Sequence, residues 1–143
     1  MERLEPFLKN EFHQFVEVLP SRWSALLRTM SQYTQQYQKS LATPAELQLL
    51  EDKFTLCEAL LADEHTIIRK GGQLFEECSC EKLRTLLRQM TTATACKESM
   101  IADWKSTASS ITGDVLRVYC HSIMVVNATA RAQGEELLTM VHT

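Results

Sequence analysis

The chain has 143 residues, 45% of them apolar and 23% charged, with a formal net charge of -3. That length suits one domain, and the apolar share supplies a real core, which excludes a disordered chain. The charge balance gives no general electrostatic ground for binding nucleic acid or an anionic membrane, and no run approaches the roughly 18 apolar residues of a membrane-spanning helix.

Only four glycines and three prolines interrupt the sequence, which points to long helices with short connections rather than a β sandwich. The start, Met1-Glu2-Arg3-Leu4-Glu5-Pro6, mixes charges and lacks the apolar stretch of a secretory signal. Five cysteines are an odd number without framework spacing, so reduced thiols and a cytoplasmic, intracellular setting are expected. Met1 suits a natural start, while the apolar pattern running almost to Thr143 reads like a helix that continues.

Taken in order, Phe7, Leu8, Phe12, Phe15, Val16 and Leu19 fall on one helical face. Pro20 removes a backbone donor and crowds the preceding turn, so the chain is expected to kink there, or to stop and restart with Ser21 as cap. From Ser21 to about Ala42, Trp23, Leu26, Leu27, Met30, Tyr33, Tyr37 and Leu41 line a second face, opposite a glutamine-rich solvated one. Trp23 is read as a core anchor.

The stretch from Thr43 to about Glu77 is the centre of the pattern. Thr43-Pro44-Ala45-Glu46 is a capping box with proline in the first turn. Leu47, Leu50, Phe54, Cys57, Leu61, Ile68 and Phe75 then climb in steps of three and four, with Glu64 and Gly71 on the two remaining rungs. Leu49, Leu56, Leu60, Ile67 and Leu74 form an adjacent stripe. A face that wide needs neighbours on two sides, and the helix would be roughly 50 Å long. Gly71-Gly72 inside it costs about 1 kcal/mol per glycine relative to alanine; close approach of a neighbouring helix or a modest kink accounts for the pair.

Ser79 is placed to cap a further helix carrying Leu83, Leu86, Leu87, Met90, Ala93, Met100, Ile101, Trp104, Ala108 and Ile111. Its middle, residues 91–97, is small and β-branched, which suits either close approach of a neighbour or a locally unstable turn. Thr112-Gly113-Asp114 breaks the pattern. A last ladder follows: Leu116, Tyr119, Ile123, Val126, Ala130, Gln133, Leu137 and Met140. Val115, Val118, Val125 and Leu138 lie beside it, with Arg117, His121, Arg131, Glu135 and Glu136 toward solvent.

The expected architecture is all-α: an antiparallel bundle of four to five long amphipathic helices in one domain, residues 1–143, with residues 114–143 as a possible separable helix. Phe15 followed eight residues later by Trp23, the run from Leu49 to His65, the Gly72-Gln73-Leu74-Phe75-Glu76-Glu77 ending and Trp104 together resemble a spectrin-type repeat over about Phe12 to Ile111. The final helix is then the start of another repeat or a fourth bundle member. That resemblance implies a non-enzymatic spacer or docking module in a cytoskeletal or signalling scaffold.

Candidates for chemistry are few. Cys78 and Cys80 form a C-x-C near a helix start, where the dipole favours thiolate, but the four ligands of a zinc site are not present at usable spacing. No Glu-x-x-His set for a di-iron bundle occurs. Asn127-Ala128-Thr129 matches a glycosylation acceptor, read as accidental. Arg69, Lys70, Lys82, Arg84 and Arg88 read as a solvated face, with a local anion contact as the alternative. No catalytic, cofactor-binding or metal-binding residue is assigned. The expected function is protein–protein interaction through helix packing, with another protein or a second copy, and with Tyr33, Tyr37, Tyr119 and Val125 as candidate anchors. The alternative is a bundle enzyme or ligand-binding protein with a buried pocket near residues 91–96.

Overall fold

The computed structural model describes residues 4–36, 43–76, 80–107 and 113–141. Four long helical stretches account for nearly all of them, and among the described residues there is no strand. The first begins with α1 (Leu4–Phe7), passes through two π-helical segments, Leu8–Phe12 and Gln14–Val18, and continues as α2 (Leu19–Gln36). α3 (Pro44–Phe75), α4 (Glu81–Thr107) and α5 (Gly113–Val141) follow.

Side-chain contacts fix the helix directions. Met30 meets Cys57, and Trp23 meets Glu64. Lys105 meets Glu58, and His65 meets Glu98. Asp103 meets Tyr119, and Gln89 meets Gln133. Arg131 meets Glu17. In each pair of helices one number rises as the other falls, so neighbours run antiparallel. α2 packs on α3, α3 on α4, α4 on α5, and α5 returns to α2. The molecule is therefore an all-α four-helix bundle, with α5 as its fourth member.

Pro20 does not stop the first helix. Phe7, His13 and Leu19 all keep right-handed helical backbone angles, and the rod runs on into α2. The π segment Gln14–Val18 ends one residue short of the proline, with Leu19 between them. Its i→i+5 pattern lets carbonyls reach past a residue that has no N–H, and it widens the turn the ring would otherwise crowd. Ser21 is consequently interior to the helix and is no cap. Its hydroxyl donates back to the Glu17 carbonyl at 3.3 Å.

The core has an aromatic cluster toward each end. Phe54 meets Trp104 edge-on at 5.2 Å between ring centroids, and Tyr119 stacks on Trp104 at 5.8 Å. At the other end Phe7, Phe12, Phe15 and Phe75 form a connected set. Here two glycines let the first helix in close. A Cβ on Gly71 would stand 3.2 Å from the Phe7 ring, and one on Gly134 would stand 2.9 Å from Val16 Cγ2. Gly72 is different: a Cβ there meets only Leu87, at an ordinary 3.8 Å.

The stretch 91–97 is neither broken nor loosened; α4 runs through it without interruption. The inward face of α5 is turned slightly from the ladder read in the sequence. Cys120, Ile123, Ala130, Gly134 and Leu137 are buried, while Val126 and Gln133 are half-buried. The cap at Ser79, the thiol of Cys78, Tyr37 and the break at Thr112 lie outside the described residues, as does the side chain of Tyr33. No described helix is long and apolar enough to cross a membrane.

Candidate functional site

Between the two aromatic clusters, the core contains a charge pair. Glu64 on α3 and Lys97 on α4 are 2% and 1% exposed, and Thr94 is fully buried beside them. Lys97 Nζ donates to both Glu64 oxygens at 2.7 Å and to Asn127 Oδ1 at 2.6 Å. Thr94 Oγ1 donates to Glu64 Oε1 at 2.8 Å, and the indole Nε1–H of Trp23 donates to Oε2. Lys97 Nζ also lies 4.8 Å from the centre of the Trp23 ring, within range of a cation–π attraction. All four long helices contribute to this layer.

The local sequence explains each placement. Glu64 stands on a core rung of α3, with Leu61 and Ile68 one turn away on either side, both buried. Lys97 stands on the matching rung of α4, between Met90 and Thr94 below and Ile101 and Trp104 above. Threonine at position 94 leaves the room that a larger side chain would fill. Burial pushes the Lys97 ammonium below its ordinary value, and the Glu64 carboxylate works against that shift through its charge and its hydrogen bonds. Three hydrogen-bond acceptors meet the three N–H donors of an ammonium, so the group is fully satisfied. The layer is chemically closed: its polar atoms converge on one another, with no donor of Lys97 left for a substrate.

Sequence reasoning singled out Glu64 and Gly71 as the odd rungs of α3 but passed over Lys97 and read Asn127 only as an accidental glycosylation match. The signal was available, since Lys97 falls at the three-and-four spacing set by Met90, Ile101 and Trp104. A carboxylate on one core ladder and an ammonium on another are each costly alone, and together they point to a buried pair.

The thiols divide by position. Cys57 and Cys120 are buried, and Cys57 Sγ lies 3.8 Å from Met30 Sδ. Burial pushes both up to about 12, with Cys57 raised further by the nearby Cys120 and Glu58. Such thiols stay protonated and unreactive at neutral pH. Cys80 is half-buried and Cys96 exposed. Among the described residues no three His, Cys, Asp or Glu side chains are grouped to hold a metal ion.

Of the proposed contact residues, Tyr119 is half-buried. Its ring covers Trp104 and its hydroxyl donates to Asp103. Val125 faces outward at 52% exposure, with Val118 at 63% and Met124 at 50% on the same helix. On α4, Arg84 and Arg88 both bind Glu81, and those hydrogen bonds hold its carboxyl below the ordinary carboxylate value. Two hollows, about 580 and 680 Å³, lie along the seam of α3 and α4.

Comparison with protein-family models, with curated proteins and with solved structures finds no match for this chain.

Proposed function

We propose that the chain is a non-enzymatic interaction module that presents rigid helical surfaces to another protein or to a second copy of itself. The observation that carries this reading is the outer face of α5. Val118, Met124 and Val125 remain half or more exposed although the core beneath them is complete. Val118 and Val125 are seven residues apart, so they fall on one line of the helix. Exposed apolar groups in line are how a helix meets a partner. The buried layer supports the same reading, because the polar groups beside residues 91–96 bind one another instead of opening onto a pocket. The likeness to a spectrin-type repeat, an intracellular setting and a scaffold or adaptor role belong to this proposal.

The test is solution mass by light scattering over a wide concentration range, on the native chain and on Val118→Ser/Val125→Ser. A mass that rises with concentration in the native chain and stays monomeric in the variant supports α5 as a docking face. Identical monomeric behaviour of both removes self-association through α5.

A further inference from the structure

The sequence of α5 supports two inward faces. Ile123, Ala130 and Leu137 belong to both and are buried. One face completes them with Asn127 and Gly134, the other with Val126 and Gln133, and each set keeps the three-and-four spacing of a core ladder. At 3.6 residues per turn the two faces differ by about 40° of rotation around the helix axis. Apolar content does not choose the first, which takes an amide and a glycine where the second takes a valine and a glutamine. The structure adopts the first nonetheless: Asn127 Oδ1 accepts from Lys97 and Gly134 leaves room for Val16, while Val126 and Gln133 stay half-buried, Gln133 against Gln89 of α4.

The polar layer tells the two faces apart. Lys97 has three donors, and Glu64 accepts two of them. The third goes to Asn127, which only the first face turns inward. For an ammonium this deeply buried, losing that acceptor is costly. The rotation also decides what α5 shows to its surroundings. In the observed setting Val118 and Val125 point away from the core. A turn to the second face swings them about 40° toward the α4 seam. It swings Cys120, now buried against the Leu27 carbonyl, outward on the α2 side. Cys120 then takes roughly the station that Met124, half exposed beside Pro20 and Ser24, holds now.

We propose that the Lys97–Asn127 contact is a latch that selects between these two settings of α5 and so keeps Val118 and Val125 on the outer surface. Asn127 is thereby a positioning residue for that face. Gly134 acts with it, because Val16 has its room only while position 134 is turned inward and carries no side chain. Buried polar groups serve in this way elsewhere, fixing one register where apolar packing allows two. The part of the inference that concerns Val118 and Val125 rests on the interaction-module reading; the selection of the setting does not.

The experiment uses the full chain as native protein, Asn127→Ala, Asn127→Asp and Asn127→Ala/Val126→Lys, with circular dichroism melts confirming that each folds. The readout is the rate at which N-ethylmaleimide labels Cys120, divided by the rate for Cys57 in the same molecule, followed by mass spectrometry at pH 8. Both thiols are raised to about 12, so thiolate content favours neither, and Cys57 lies on α3, where a turn of α5 does not uncover it. Loss of one hydrogen bond to a charged group is expected to raise the Cys120 to Cys57 ratio about tenfold or more in Asn127→Ala. Asn127→Asp keeps an acceptor and should stay near the native ratio. Val126→Lys should restore the protection of Cys120, because the second face would bury the lysine. Should Asn127→Ala not fold, Gly134→Ala takes its place: its methyl group against Val16 pushes α5 the same way, and the same selective rise is expected. Faster labelling of both thiols in step means unfolding rather than rotation and overturns the latch. An unchanged ratio, or a raised ratio that Val126→Lys does not lower, overturns it as well. Solution mass on the same variants separates the two readings. A raised ratio with no association in any of the chains leaves the latch standing and removes α5 as a face for self-association; association that needs Val118 and Val125 but comes with an unchanged ratio removes the latch alone.

Discussion

Replacing Lys97 by methionine leaves Glu64 charged in a site built for a pair, and the cost can be bounded. At 2.7 Å the direct attraction is about 6 kcal/mol for an effective dielectric constant near 20. Desolvating the two ions costs several kcal/mol each, so the intact pair contributes little net stability. Once Lys97 is gone, the remaining carboxylate escapes by taking up a proton. At pH 7 that costs about 3.5 to 4 kcal/mol for a group whose free pKa is near 4.3. Glu64→Gln alone strands the ammonium, whose release of a proton at pH 7 costs about 4.5 kcal/mol. Each single variant is therefore predicted to lose about 3 to 5 kcal/mol, a large share of a domain's usual 5 to 15. The double variant Glu64→Gln/Lys97→Met keeps an acceptor for the Trp23 indole and contains no buried ion. It is predicted to lose less than either single variant. Urea melts followed by circular dichroism and tryptophan fluorescence supply the cycle. Additivity of the two single losses to within about 0.5 kcal/mol would refute the buried-pair account. A second signature is pH: the loss in Lys97→Met should shrink as the pH is lowered toward 4 and grow as it is raised, because only the uncompensated charged form of the carboxyl is costly to bury.

Three other outcomes are expected. Gly134→Ala loses about 1 to 3 kcal/mol because its methyl group collides with the β-branched Val16, whereas Gly72→Ala gains up to about 1 kcal/mol of helix propensity; reversal of that order in thermal melts counts against the packing described here. At pH 8, mass spectrometry after brief iodoacetamide treatment should show Cys96 alkylated and Cys57 and Cys120 unmodified, and labelling of the buried pair at the rate of Cys96 would contradict their burial. The thiol values set the sign in alkali: both are raised from 9.0 to about 12, so the stability they contribute is complete below pH 9 and declines between pH 9 and 12. Lys97, depressed in the fold, opposes that decline below 10.5, so Cys57→Ala/Cys120→Ala should melt with a less negative, or positive, slope against pH in that window than the native chain does.

The helix positions were largely legible in the sequence because their ladders are long. Pro44 to Phe75 shows this well: the capping sequence marks its start, and its core rungs from Leu50 to Phe75 are buried. Pro20 was less legible, since the rule that proline breaks a helix omits the π turn that accommodates it. On α5 the rungs Ile123, Ala130 and Leu137 are buried as the ladder has them, but the rungs between fall one position further on, because Val126 and Gln133 satisfy the spacing as well as Asn127 and Gly134 do. Only the partner helices decide between them: Lys97 needs the Asn127 carbonyl, and Val16 needs the space at Gly134. Side-chain exposure was harder still. Leu56 continues the buried stripe of Leu60 and Ile67 yet is half exposed, since a four-helix ring covers less of α3 than its apolar width allows. The polar layer was the least visible feature, being a relation among four helices that no single ladder contains.

The two glycine notches have a consequence for the order of folding. Gly71 receives Phe7, and Gly134 receives Val16, so the N-terminal arm is seated by two helices that lie far from it along the chain. Neither notch serves as a seat before α3 and α5 have met their neighbours. Contacts at such separation carry a large loop-closure cost and reward the chain only once the rest is assembled. We therefore expect the arm to dock late, after α3, α4 and α5, with φ-values near zero for truncations at Phe7 and Val16. High φ-values there would place the arm in the nucleus instead. Late docking would make residues 4–18 the part of the molecule that opens most readily without unfolding the remainder.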